Sequence, residues 1–282
     1  IFKTINPSHR LNNLQASSDE STNENYGLFK EEGSTDGAPP VIFVHGLNDT
    51  PAGWNDMINK LTQDGFLSTH EVWRFGYDTH QKLDDSGKDL LDAINNNEDL
   101  KDKEPAIVAH SMGGVVSRSY IAQGGKCSIL VTLGSPHCGT PPGLLGGIIG
   151  GKGGEQLRLR SRALKALAEA DSAHGYCSKY VLFSGEIHLS KDVVYFHTKP
   201  YQCFKPDYDY APELITNYII MRVLGYGDND GLVPKDSAQY CTSKKLYNIR
   251  ACPSVQLRQS TGNLDHYMLR NPEYAIIAYE YI

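Results

Sequence analysis

No stretch of this 282-residue sequence approaches 18 consecutive apolar residues, so no transmembrane helix is expected. Runs of lysine and arginine are also missing, and the formal net charge is -6, which argues against nucleic acid as a main partner. The six cysteines at 127, 138, 177, 203, 241 and 252 contain no C-x-x-C pair, so a zinc knuckle or a thioredoxin-like site is not expected. Nor is there an H-E-x-x-H or a comparable histidine pair that would mark a metal hydrolase. Internal repeats are lacking. The chain begins at Ile1 with no charged-then-apolar leader. Any signal peptide is therefore already removed or not shown; the even cysteine count is read as disulfides of a secreted protein ahead of buried free thiols, Cys241 with Cys252 being the first pair to suspect.

What is present is ordinary globular material: 40% hydrophobic and 21% charged residues. Residues 1–40 read as a polar N-terminal arm, with 15–40 too poor in large apolar groups to offset the entropy of ordering. From "PPVIFVHG" onward, apolar runs alternate with amphipathic segments. Val41–Val44, Glu71–Phe75, Ala106–Ala109 and Ser128–Leu133 read as strands, and Pro51–Thr62, Asp84–Asn95 and Val115–Ile121 as helices. That rhythm predicts an α/β fold, a mostly parallel sheet with helices on both faces, over residues 41–282.

Two insertions interrupt it. In 138–180, a glycine-rich run precedes "EQLRLRSRALKALAEA", an amphipathic helix with Leu157, Leu164, Leu167 and Ala168 on its apolar stripe. This is either a surface helix over the sheet or a mobile lid. Residues 186–225 are rich in aromatics. In the same region "HLSKDVVYFH" carries His188, Asp192 and His197, read as surface or strand rather than as a metal site.

The chemistry-bearing stretch is "IVAHSMGG", residues 107–114. A strand, a turn flanked by tiny residues, and a helix are the setting in which a serine can be raised as a nucleophile. Ser111 is that serine, although Ala109 stands where glycine is usual. An ester carbonyl also needs a base, an orienting acid and two oxyanion donors. The N–H of Met112, just after the serine, and that of Leu47, in the loop after "VIFV", suit the donors. His45 reads as support for that loop rather than as the base. Downstream, "GDNDGLVP" offers Asp230 first and Asp228 second as the acid. The base is His266, the only histidine after Asp230.

These motifs, with "TLGSPHCGT" and "LFSGE", resemble the α/β-hydrolase superfamily and, within it, the bacterial true lipases, over about residues 40–270. The resemblance implies the α/β-hydrolase fold and a triad of Ser111, Asp230 and His266, with Leu47 and Met112 as oxyanion donors. It implies no cofactor. Larger members hold a structural calcium partly through an aspartate two residues after the catalytic histidine; that position here is Met268, and Asp265 precedes the histidine instead. The expected activity is lipase or esterase cleavage of acyl esters, at a lipid interface if the chains are long. A thioesterase, an acyltransferase or a non-catalytic lipid-binding protein on the same fold are the alternatives. Oligomeric state is left open.

Overall fold

The computed structural model describes residues 25–141, 151–173, 179–187, 189–196, 199–206, 212–240, 255–262, 264–272, 279 and 281–282. The glycine run 142–150, His188, His197 and the Cys241–Cys252 pair lie outside them. Strand β2 (Pro40–Val44) is built from β-branched and aromatic residues and is buried on both faces. β3 (Glu71–Gly76), β4 (Ala106–His110), β5 (Ile129–Leu133), β6 (Tyr180–Glu186) and β9 (Val255–Gly262) run parallel to it. Near-continuous apolar runs of this kind suit a parallel sheet covered by helices on both sides.

With Gly27–Lys30 as β1 at one edge, the strand order is β1-β3-β2-β4-β5-β6-β9. The chain therefore steps from β2 to β3 on one side and then returns to lay β4 on the other side of β2. That reversal opens a crevice at the carboxyl ends of β2 and β4, the place where open α/β sheets bind ligands.

Alternate residues of each strand feed two cores. Ile42, Val44, Ile107 and Ala109 face α2 (Leu83–Asn95) and α3 (Met112–Ala122). Val41, Phe43, Val108 and Val131 face α1 (Asn55–Gln63). α2 follows its pattern closely: Leu83, Ser86, Gly87, Leu90 and Ile94 are its buried stripe. A Cβ on Gly87 would lie 2.5 Å from the Ser119 side chain, so this glycine sets how closely α2 approaches α3. Pro51–Trp54, expected as the first turn of α1, is instead a separate 3-10 turn.

The N-terminal arm needs correction. Gly27–Lys30 forms β1, antiparallel to β3 at the sheet edge. An exposed strand edge offers unpaired backbone groups that a short neighbour satisfies, Leu28 packs on the core, and Lys30 Nζ sits 2.7 Å from the buried Glu71 carboxylate.

The 138–180 segment also differs from its expected form. One continuous helix is replaced by α4 (Gly151–Gln156) and α5 (Arg162–Ala173). Between them Arg160 adopts φ 62 and Arg158 bridges Thr140, while Ser161 Oγ accepts the Leu164 N–H at 3.2 Å and caps α5. The apolar stripe holds even so: Leu157, Leu164, Leu167 and Ala168 are all buried in the core. Within residues 186–225, β7 (Leu189–Phe196) pairs antiparallel with β8 (Lys199–Pro206), and α6 (Pro212–Val223) comes later in the chain. A short helix, α7 (Lys235–Ala238), follows.

Candidate active site

β4 ends at His110, and the chain turns sharply through Ser111 into α3. Ser111 has φ 53 and ψ -127, a conformation L residues seldom adopt, at a cost of about 1–3 kcal/mol. Packing enforces it. A Cβ on Gly113 would lie 2.5 Å from the His45 carbonyl oxygen and 2.6 Å from that of Val44; one on Gly114 would lie 2.1 Å from Ser135 Oγ. Only hydrogen atoms fit there. Ala109 is a different case: its methyl faces the α2–α3 core beside Ile107, which explains why alanine is accommodated.

Three residues far apart in sequence meet at this turn. Ser111 Oγ lies 2.9 Å from His266 Nε2, and His266 Nδ1 lies 2.8 Å from Asp230 Oδ2. All three are buried, with 7%, 1% and 0% exposure for Ser111, His266 and Asp230, so little water competes for these bonds.

The Asp230 carboxylate is held by its own loop. Asp230 Oδ1 accepts the N–H groups of Leu232 at 2.9 Å and Val233 at 2.7 Å, which leaves Oδ2 for the imidazole. Gly231 supplies the turn with φ +88. Asp228 lies outside this arrangement: it is half-buried and pairs with Arg222. Asp265 folds the base loop, its Oδ1 accepting the N–H groups of Tyr267 at 3.0 Å and Met268 at 2.9 Å. The His266 N–H then reaches the Asp230 carbonyl at 3.0 Å.

Leu47 sits on the loop after β2, which presses against the serine: a Cβ on Gly46 would lie 2.9 Å from Ser111 Cβ. Met112 is the first residue of α3, and its N–H has no intrahelical acceptor and carries the positive end of the helix dipole. The loop bearing Leu47 and the start of α3 at Met112 thus both adjoin Ser111. His45 is not placed as a base. Its Nδ1 is 3.0 Å from the Gly46 carbonyl, its ring stacks on Tyr77 at 4.5 Å, and burial lowers its pKa to about 4.

Three contributors escaped the sequence reading. His110 binds the backbone of His266 through Nε2 at 2.9 Å. Gly134, at φ +60, backs Asp230 and His266; a Cβ there would lie 3.1 Å from Asp230 Oδ2 and 3.3 Å from His266 Nδ1. Asp49, on the loop after Leu47, pairs with Arg270 beyond the base. The signal for the first was its place beside Ser111; the other two are contacts between distant segments, with no local pattern. Among the described residues, no group of three or more His, Cys, Asp or Glu side chains comes together as a metal site.

Residues 41–274 match the sequence pattern described as "Alpha/beta hydrolase family". Comparison with curated protein sequences finds no match. Among solved structures, the mature form of lipase BlEst2 from Bacillus licheniformis is similar at TM-score 0.64 and 18% identity, covering 90% of this chain and 96% of that one. Its propeptide form has the same score and identity, and there this chain spans 52% of the other. The lin2722 product of Listeria innocua is similar at TM-score 0.50 and 15% identity, covering 84% and 89% of the two chains. At these identities the likeness is one of fold.

Proposed function

The chain belongs to the alpha/beta hydrolase family, and on that premise we propose that it is a serine carboxylic-ester hydrolase, a lipase or esterase acting on acyl esters. The observation that carries the proposal is the buried relay from Ser111 through His266 to Asp230, with both bonds under 3 Å. In the proposed reaction, Ser111 Oγ attacks the ester carbonyl as its proton passes to His266 Nε2. Asp230 accepts from Nδ1–H, fixing the tautomer and stabilising the imidazolium. The carbonyl oxygen becomes an oxyanion held by the N–H groups of Leu47 and Met112. The carbon–oxygen bond to the alcohol then breaks, and the alcohol leaves with the proton from His266. Water, deprotonated by the same imidazole, attacks the acyl-enzyme and releases the acid and Ser111.

Long acyl chains presented at a lipid interface are the proposed substrate. Supporting this, Tyr267 beside the base is 41% exposed, and Ile219, Ile220, Val223 and Leu224, on or just after α6, are exposed as well. α6 packs against the acid loop, since a Cβ on Gly231 would meet Leu214 at 2.6 Å. α4 packs close to the same region: Lys152 N–H reaches the His80 carbonyl at 2.8 Å, and a Cβ on Gly153 would lie 3.5 Å from Met112 Sδ. Secretion, with disulfides among the six cysteines, is part of the same proposal.

A fluorophosphonate probe tests the chemistry. Wild-type protein is expected to be labelled and Ser111→Ala not to be; absence of labelling on folded wild-type protein favours the non-catalytic binding protein. Activity confined to acyl chains of two to four carbons on nitrophenyl esters would overturn the lipase reading.

A further inference from the structure

We infer that His110 is a positioning residue: a strut from the nucleophile turn to the loop carrying His266, which sets the distance between nucleophile and base. The inference rests on the proposed triad. His110 Nε2 lies 2.9 Å from the His266 carbonyl oxygen. A carbonyl only accepts, so Nε2 carries the proton and Nδ1 the lone pair. Burial, and secondarily the neighbouring His266, push the His110 pKa well below the ordinary imidazole value, so the ring stays a neutral, single-tautomer donor.

The His266 side chain already meets Ser111 through Nε2, whereas the strut ties the backbone of His266 to the same turn. The His266 N–H and its Nδ1 both engage Asp230, and so fasten base to acid. The bond from His110 fastens the same residue to the elbow, because His110 is covalently joined to Ser111. Its ring lies 4.9 Å from that of His266. On its other side it meets the oxyanion loop: a Cβ on Gly46 would lie 3.3 Å from His110 Nδ1. One imidazole therefore touches the segments bearing nucleophile, base and oxyanion donor.

Stability alone does not account for it. Nδ1 of His110 is buried with no hydrogen-bond partner, and a buried unsatisfied polar atom costs about 1–3 kcal/mol. A phenylalanine would fill similar space without that cost, but it could not donate to the base loop.

The test uses His110→Phe, which keeps the ring volume and loses the donor, and His110→Gln, whose amide N–H restores one. With a soluble short-chain nitrophenyl ester, His110→Phe is expected to lower kcat by roughly 10- to 100-fold, the scale of a sub-ångström to 1 Å misplacement, with KM little changed. The rate of phosphonylation of Ser111 should fall in parallel, and His110→Gln should recover most of both. Wild-type kcat in His110→Phe, equal impairment of the two variants, or a loss that tracks a fall in Tm would overturn the strut. If His110→Phe does not fold, His110→Gln is compared with His110→Asn, whose shorter amide loses the bond; equal turnover then overturns it. Failure here leaves the triad standing, whereas activity in Ser111→Ala would overturn the triad itself.

Discussion

Replacing Asp230 by asparagine should all but silence the enzyme while leaving its fold intact, and the reason is geometric. Asp230 Oδ1 is engaged by two backbone N–H groups, at 2.9 and 2.7 Å. An asparagine amide must keep its oxygen there, because its NH2 group would face two donors. The NH2 then takes the place of Oδ2, 2.8 Å from His266 Nδ1. Two N–H groups cannot share that distance, so the proton moves from Nδ1 to Nε2. Nε2 then presents a hydrogen to Ser111 Oγ and cannot take its proton. A wrong tautomer of this kind costs about 10⁴-fold in kcat, or about 5 kcal/mol of barrier. Steady-state hydrolysis of a nitrophenyl ester measures it, with circular dichroism to verify folding. Asp228→Asn is the control: its side chain is 45% exposed and bonded to Arg222, so about a twofold change at most is expected, as for other surface sites. More than a tenth of wild-type turnover in folded Asp230→Asn, or an equal loss in Asp228→Asn, would refute the reasoning.

Three further outcomes follow from packing and charge. Gly134→Ala puts a methyl 2.6 Å from Leu269 and 3.1 Å from Asp230 Oδ2 at φ +60; it should cost about 1 kcal/mol or more of stability and about tenfold or more in kcat, and unchanged turnover would show that the acid and base have room to spare. Leu164→Ala, in the core-facing stripe of α5, should lose about 3 kcal/mol in urea unfolding; a loss under about 1 kcal/mol would mean that this face spends much of its time off the core, as a mobile lid requires. His45, His110 and His137 are held neutral by burial, with His45 lowered to about 4. Below the ordinary imidazole pKa of about 6.5 the unfolded chain binds protons that the native protein refuses, so stability is full above that pH and falls below it, each histidine contributing about 1.4 kcal/mol per pH unit. Between pH 7.5 and 5.5 the three together should cost about 4 kcal/mol. An unchanged urea midpoint over that range would contradict the burial of these rings as neutral groups.

How much of this could be read beforehand depended on whether a property was local. Strand runs such as Val41–Val44 and the stripe of α2 were legible because a face buried against a neighbour imposes its period on the side chains. Ser111 was legible for a similar reason: a turn too tight for side chains leaves glycines on the page. The alternative acid Asp228 was separated from Asp230 only by the loop's own hydrogen bonds. Gly27–Lys30 became a strand because β3 leaves an edge to be paired, and nothing within the arm announces that edge. α4 and α5 broke apart at Arg158–Ser161 for a tertiary reason too, the bridge to Thr140, although the apolar residues themselves had been identified.

The amino-acid sequence by itself determined the alternation of strand and helix and the tight turn at Ser111, since each follows from steric limits or periodicities acting over a few residues. The tertiary structure alone decided the contacts between segments distant in the chain. His110 braces the base loop, Gly134 yields room behind the Asp230–His266 pair, Asp49 meets Arg270, and the stripe of α5 closes onto the core. Such contacts depend on where the doubly wound sheet brings distant segments together, and residues far apart in the chain carry no mark of one another until it does.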